Sequence, residues 1–240
     1  AARHILPSDG EHTQPASIAP PSEKSANAPL IEAKHLVFGY HTGIPIVQNL
    51  SLTIHRGEHT AIIGESGAGK TTLASLLLRL WEPDAGTISY DGIPHTKLPL
   101  EASRTYFGAA LQGSWLFSAS IRDNFLRLRG DISEAAIWHA LETAQLADVV
   151  RARPAWLDEP LGMNASRLSG GQRSRLLTAL ALAGDAPILL LDEPTAGLDA
   201  ACGTRLITSV LADADARGAT LIVITHDLPL LNQMKQVIKL

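Results

Sequence analysis

The chain has 240 residues, 45% of them apolar, enough for one sizeable α/β domain with room for an inserted segment. A formal net charge of −4 supplies none of the positive field that nucleic-acid binders use, so no nucleic-acid partner is expected. The single cysteine, Cys202, excludes an internal disulfide framework and suits a reducing compartment, and no apolar run approaches the roughly 20 residues a bilayer-spanning helix needs.

Residues 7 to about 29 are rich in Pro, Ser and Ala and have no periodicity, so residues 1–30 read as a linker. Order is expected from Ile31. Residues 36–40 and 46–54 are β-rich, and 59–64 read as a short buried strand running into a glycine loop. A helix over 71–80 follows, apolar nearly throughout, then a strand at 87–90 with a turn at Asp91-Gly92. The middle third changes character. Residues 132–150 are patterned as one long amphipathic helix with Asp131 as its N-cap, inside a mostly helical insertion over about 113–167. The α/β alternation then resumes: helix 170–183, strand 187–191, helix 200–216, strand 219–224, a short helix after Asp227 and a final strand 236–240. Such alternation predicts a largely parallel sheet with helices on its faces.

Three stretches carry chemistry. Gly64-Glu65-Ser66-Gly67-Ala68-Gly69-Lys70-Thr71-Thr72 meets the G-x-x-x-x-G-K-[ST] pattern between a predicted strand and a predicted helix. Glycines let the backbone wrap so that its N–H groups face phosphate oxygens, and the helix N-terminus adds positive potential. Lys70 is expected on the β- and γ-phosphates and the Thr71 hydroxyl on Mg²⁺. The apolar strand 188–191 ends in Asp192-Glu193. Carboxylates at a strand's C-terminal tip sit where open α/β sheets bind ligands, so Asp192 suits Mg²⁺ and Glu193 suits polarising an attacking water. Leu168-Ser169-Gly170-Gly171-Gln172 opens a helix with a hydroxyl and free backbone N–H groups, a second anion-ready helix end.

These motifs, in this order, resemble the ABC ATPase family over essentially all of residues 31–240. The resemblance implies an α/β P-loop NTPase fold with a mainly parallel core sheet, an N-terminal antiparallel β-subdomain and an inserted helical signature subdomain. It implies ATP and Mg²⁺ as cofactors, and it assigns further roles. Tyr40 matches the aromatic that stacks on adenine; a strand-core tyrosine is the structural alternative. Gln112 matches the glutamine that senses Mg²⁺ and water. Asp199 matches the loop facing the opposite subunit, and is otherwise a helix N-cap. His226 matches the histidine that contacts the γ-phosphate.

Family members pair head to tail, so Ser169, Gly170, Gly171 and Gln172 are expected to complete the site of a second ABC ATPase domain, in a homo- or heterodimer. Residues 116–124 resemble exporter-type domains, and residues 1–6 resemble the end of an exporter's last transmembrane helix. The resemblance thus implies a transmembrane domain as partner and a place at the cytoplasmic face of the membrane. Residues 192–199 and 225–228 resemble bacterial heterodimeric exporters of cysteine and glutathione linked to cytochrome bd assembly. Two positions depart from the exporter pattern: Met163 where a glutamate is usual, and Leu180 where an arginine is usual. A soluble ABC ATPase is the alternative, but no long coiled coil fits between Thr72 and Leu168. A regulatory, non-hydrolysing subunit would lack Glu193 or His226, and both are present.

Overall fold

A computed structural model describes residues 28–240. The expected linker at residues 1–30 falls, but for its last three residues, outside them.

Two sheets organise the chain. Strands β1 (Ile31–Phe38), β2 (Val47–Ile54), β4 (Ala85–Tyr90) and β5 (Ile93–Pro94) form an antiparallel sheet in the order β2-β1-β4-β5. Strands β3 (Thr60–Ile63), β6 (Phe107–Ala110), β7 (Ile188–Asp192), β8 (Thr220–Ile224) and β9 (Gln236–Lys239) form a parallel sheet in the order β6-β7-β8-β3-β9. Every residue of β7 and β8 is buried, as expected of strands covered on both faces.

The parallel sheet divides two apolar cores by the period-2 alternation of its side chains. Ile188, Leu190, Ile222 and Ile224 face a core shared with the antiparallel sheet and helix α1 (Lys70–Leu77). Leu189, Leu191, Leu221 and Val223 face the other core, shared with α6 (Gly170–Leu182), α7 (Ala200–Ala216) and the inserted helices. Residues 113–167 contain α3 (Ile121–Leu128), α4 (Glu134–Thr143) and α5 (Ala147–Arg151), and none of the strands of either sheet. Short helices α2 (Leu100–Arg104) and α8 (Leu228–Leu231) complete the chain.

The single helix expected over 132–150 is two. Gln145 sits at φ 55, a left-handed conformation that ends α4. Tertiary contacts hold it there: the Arg175 guanidinium donates to the Gln145 carbonyl, and Gln145 Nε2 donates to Ser209 Oγ at 2.9 Å. The N-cap is Ser133, whose hydroxyl accepts from Ala136 N, and Asp131 lies outside the helix. Strand β1 ends at Phe38, so Tyr40 lies beyond it and not within. Strand β6 had no sequence signal. Its Gly108 explains both the weak pattern and the packing, because a Cβ there would stand 2.1 Å from the Ala181 carbonyl oxygen of α6.

Candidate functional site

The order β7-β8-β3 brings three strand C-termini side by side. Ile62 is in register with Ile224, and Ile224 with Asp192. The bonding continues past the strands: Thr225 N–H donates to Ile62 O at 3.1 Å and Glu193 N–H to Ile224 O at 2.9 Å. Whatever follows each strand is therefore held at one edge, where open parallel sheets bind ligands. After β3 comes the glycine loop, after β7 the acidic pair, after β8 Thr225-His226.

The loop wraps through Gly67 (φ 84) and Gly69 (φ 92), conformations that cost an L side chain roughly 1 kcal/mol or more. Helix α1 starts at once, with no side-chain hydrogen bond at its N-cap. Its first N–H groups are the unpartnered set of any helix start, a ready seat for an anion. Lys70 Nζ donates to the carbonyls of Gly64 and Glu65, both at 2.8 Å, which leaves the third donor of its ammonium directed elsewhere.

Thr71 Oγ1 donates to Asp192 Oδ2 at 3.0 Å, tying the first turn of α1 to the tip of β7. Burial lifts the Asp192 carboxyl above the ordinary range, against the opposing pull of the Thr71 hydroxyl, the Gln112 backbone and Lys70. Its Oδ1 is buried without a hydrogen-bond partner among the described residues. Glu193 is the next residue and sits at φ 52, a left-handed turn that a glutamate rarely adopts. His226 Nδ1 donates to Glu193 Oε1 at 2.9 Å, and this bond, with the carboxylate's charge, raises the imidazole pKa. Glu193 Oε2, like Asp192 Oδ1, is buried without a partner among the described residues. Orphaned oxygens at one edge suit a cation and a positioned water.

A cleft of about 560 Å³ gathers these groups, lined by Gly64, Ser66, Gly67, Gly69, Lys70, Thr71, Thr72, Gln112, Asp192, Glu193 and His226. Ile46 and Ala196, which the sequence did not single out, also line it. Ile46 packs its Cγ2 against Gly69, 3.1 Å from where a Cβ would stand. No group of three or more His, Cys, Asp or Glu among the described residues could hold a metal alone. The donor set fits Mg²⁺ in the way nucleotide enzymes hold it, through one hydroxyl, one carboxylate and the substrate's own phosphates.

Two predicted groups lie apart. Tyr40 does not line the cleft; its hydroxyl is 3.3 Å from Thr72 Oγ1, and its ring meets Phe38 and Trp81. The signature motif starts α6 as a capping box, Ser169 Oγ accepting from Gln172 N and Gln172 Oε1 from Ser169 N. Gly170 borders an adjoining cavity of about 510 Å³ with Gln112, Asp192 and Glu193. Among the described residues Ser169, Gly171 and Gln172 line neither cavity. Gly171 is buried against the Gly197–Leu198 turn, while Ser169 and Gly170 are exposed. The Asp199 side chain caps α7 through Cys202 N.

The family model described as ABC transporter matches residues 47–196. An ATP-dependent lipid A-core flippase of Neisseria gonorrhoeae is 39% identical over 196 residues, 82% of this chain and 31% of that protein. The heterocyst differentiation ATP-binding protein HepA of a Nostoc species is 37% identical over 201 residues, 84% of this chain and 33% of that protein. Among solved structures, a bacterial Atm1-family ABC exporter with ATP bound superposes with a TM-score of 0.83 at 33% identity, over 89% of this chain and 37% of that one. The chain thus spans about a third of the length of the curated relatives it matches.

Proposed function

The chain belongs to the ABC transporter family, and we propose that it is the ATP-binding and ATP-hydrolysing part of an exporter, forming one half of a two-chain site. One observation supports this most directly. The glycine loop, two carboxylates and an imidazole converge on the cleft at the β3, β7 and β8 edge, while the signature serine caps α6 at an exposed helix end outside that cleft.

In this reading the backbone of residues 64–69 and the remaining Lys70 donor would hold the nucleotide's phosphates. Thr71, Asp192 and Gln112 would hold Mg²⁺, whose charge offsets that of the phosphates. Glu193 would orient and polarise the attacking water through its unpartnered oxygen, with His226 fixing the carboxylate from the other side. Buried donors already in place lower the barrier because they need little reorganisation when charge moves in the transition state. Ser169 and the α6 N-terminus would meet the nucleotide of a partner domain in a head-to-tail pair. Trp115, Phe117 and Met163, exposed at 78%, 52% and 81%, lie near the two ends of the helical insertion in sequence and fit a contact with a transmembrane domain. Among the described residues no helix is long and apolar enough to cross a membrane.

The thiol reading of the cargo rests on residues 192–199 and 225–228 alone. Asp192, Glu193, Ala196 and His226 of those stretches line the nucleotide cleft, so transport of thiols by an assembled exporter carrying this chain is the assay that decides it.

Complementation tests the two-chain site. Lys70→Ala removes the phosphate lysine. Ser169→Asp keeps the N-cap but puts a carboxylate where an anion must sit. Each variant alone is expected to be inactive. An equal mixture is expected to recover about a quarter of wild-type turnover, because half the dimers contain one intact composite site. No recovery on mixing would contradict head-to-tail pairing between copies of this chain.

A further inference from the structure

Three aromatic rings close a triangle beside α1. Tyr40 lies 5.2 Å from Phe38 at an interplanar angle of 85°, and 5.5 Å from Trp81 at 79°. Phe38 and Trp81 are 6.0 Å apart. Edge-to-face packing of this kind holds a ring more firmly than area alone, because each ring's positive edge meets its neighbour's negative face. The Tyr40 hydroxyl reaches the first turn of α1 at Thr72, at 3.3 Å.

Trp81 is delivered there by the way α1 ends. Arg79 N donates to Leu76 O at 3.0 Å and Leu80 N to Ser75 O at 2.9 Å, the paired bonds of a Schellman motif. The reversing position, usually glycine, is Arg79 at φ 53. That conformation costs roughly 1 kcal/mol or more. It is held by the Arg79 guanidinium, which donates to Glu82 Oε1 at 2.8 Å and to the carbonyls of His95 at 2.8 Å and Leu98 at 2.7 Å. The chain is thus folded back so that the indole lies against the ring whose hydroxyl touches the other end of the same helix. One helix fixes the phosphate loop at its start and the aromatic group at its finish.

We propose that Trp81 is a positioning residue that fixes the Tyr40 ring relative to the phosphate loop, and so sets affinity for the base of a nucleotide while leaving affinity for its phosphates unchanged. The assignment rests on the nucleotide reading of the cleft and on Tyr40 as the base-stacking ring that the family resemblance implies. Phe38 lies in the fully buried core and secures the triangle from below, whereas Tyr40 and Trp81 remain partly exposed.

Calorimetric titration of the chain with MgATP and with magnesium tripolyphosphate separates base from phosphate binding. Trp81→Leu is expected to weaken ATP about 10-fold, the scale of one lost base–aromatic stack, and to leave tripolyphosphate unchanged. Trp81→Phe is expected to restore ATP affinity to within about 2-fold. In a Tyr40→Ala background, Trp81→Leu is expected to add nothing, since both changes remove the same contact. A second readout needs only the conservative variant. ATP, but not tripolyphosphate, is expected to change tryptophan emission in the wild type, and Trp81→Phe is expected to abolish that change. Equal weakening of both ligands, additivity with Tyr40→Ala, or an ATP-specific emission change surviving in Trp81→Phe would each overturn the assignment. Lys70→Ala reports on the underlying site: it is expected to weaken both ligands, and if both bound as before the cleft itself, and Trp81 with it, would be misassigned.

Discussion

Thr71 Oγ1 and Asp192 Oδ2 are 3.0 Å apart, so a residue at the start of α1 and one at the tip of β7, 121 positions away, share one hydrogen bond. The bond leaves Asp192 buried with a second oxygen unpartnered and its carboxyl raised above the ordinary range by burial. A charge kept in such a place is held at the expense of stability. Asp192→Asn is therefore expected to raise the stability of the chain by about 1 kcal/mol in urea melts while lowering magnesium-dependent ATP turnover at least about 100-fold. A variant both less stable and fully active would contradict the role given to this carboxylate.

Two glycines separate packing from function. A Cβ at Gly108 would stand 2.1 Å from the Ala181 carbonyl oxygen, a backbone atom that cannot yield cheaply, and 3.1 Å from Leu189 Cδ2. Gly108→Ala is expected to cost about 3 kcal/mol or more, lowering the melting temperature by about 10 °C. Gly170 opens α6, and a Cβ there would meet nothing within 4 Å. Gly170→Ala is expected to shift the melting temperature by less than about 2 °C, so any loss of turnover it causes arises at the exposed face of the helix.

His95 supplies a pH signature independent of the cleft. It is almost fully buried, and burial lowers its pKa from 6.5 despite the Glu82 carboxylate 2.9 Å from Nε2; the Arg79 charge adds to the lowering. Because the folded state holds the proton less tightly than the unfolded state, the unfolded state binds more protons as the pH falls. Stability is then full above 6.5 and declines as the pH drops through 6.5 toward the lowered value. Thermal melts from about pH 7.5 to about pH 5.5 should show this decline in the wild type and a flatter profile in His95→Gln. Identical slopes would contradict the buried neutral imidazole.

The cleft's parts were legible in the sequence because each is a local pattern. The glycine loop needs its own φ angles and Asp192-Glu193 ends an apolar strand; the Ser169–Gln172 capping box, outside the cleft, is equally local and lies within four residues. Their convergence was readable only through the family's order of motifs, since it depends on the β7-β8-β3 strand order. What could not be read was set by distant contacts. The break at Gln145 depends on Arg175 and Ser209, against a helical pattern that runs on through it. The Glu193–His226 bond joins residues 33 apart, and Trp81 reaches Tyr40 only because Arg79 adopts a conformation its side chain alone would disfavour. Strand β6 carries a glycine and two alanines, a composition that signals a strand only once α6 is known to lie across it.

The central claim is that Glu193 drives ATP hydrolysis at this cleft. The most direct measurement is phosphate release by the purified chain, wild type against Glu193→Gln, with ATP binding and oligomeric state followed in the same samples. The amide keeps the shape of the side chain and the bond to His226 but cannot polarise water as a carboxylate does. The account predicts turnover at least about 100-fold lower, ATP still bound, and a dimer that ATP stabilises in the variant. Equal phosphate release by the two proteins would contradict it.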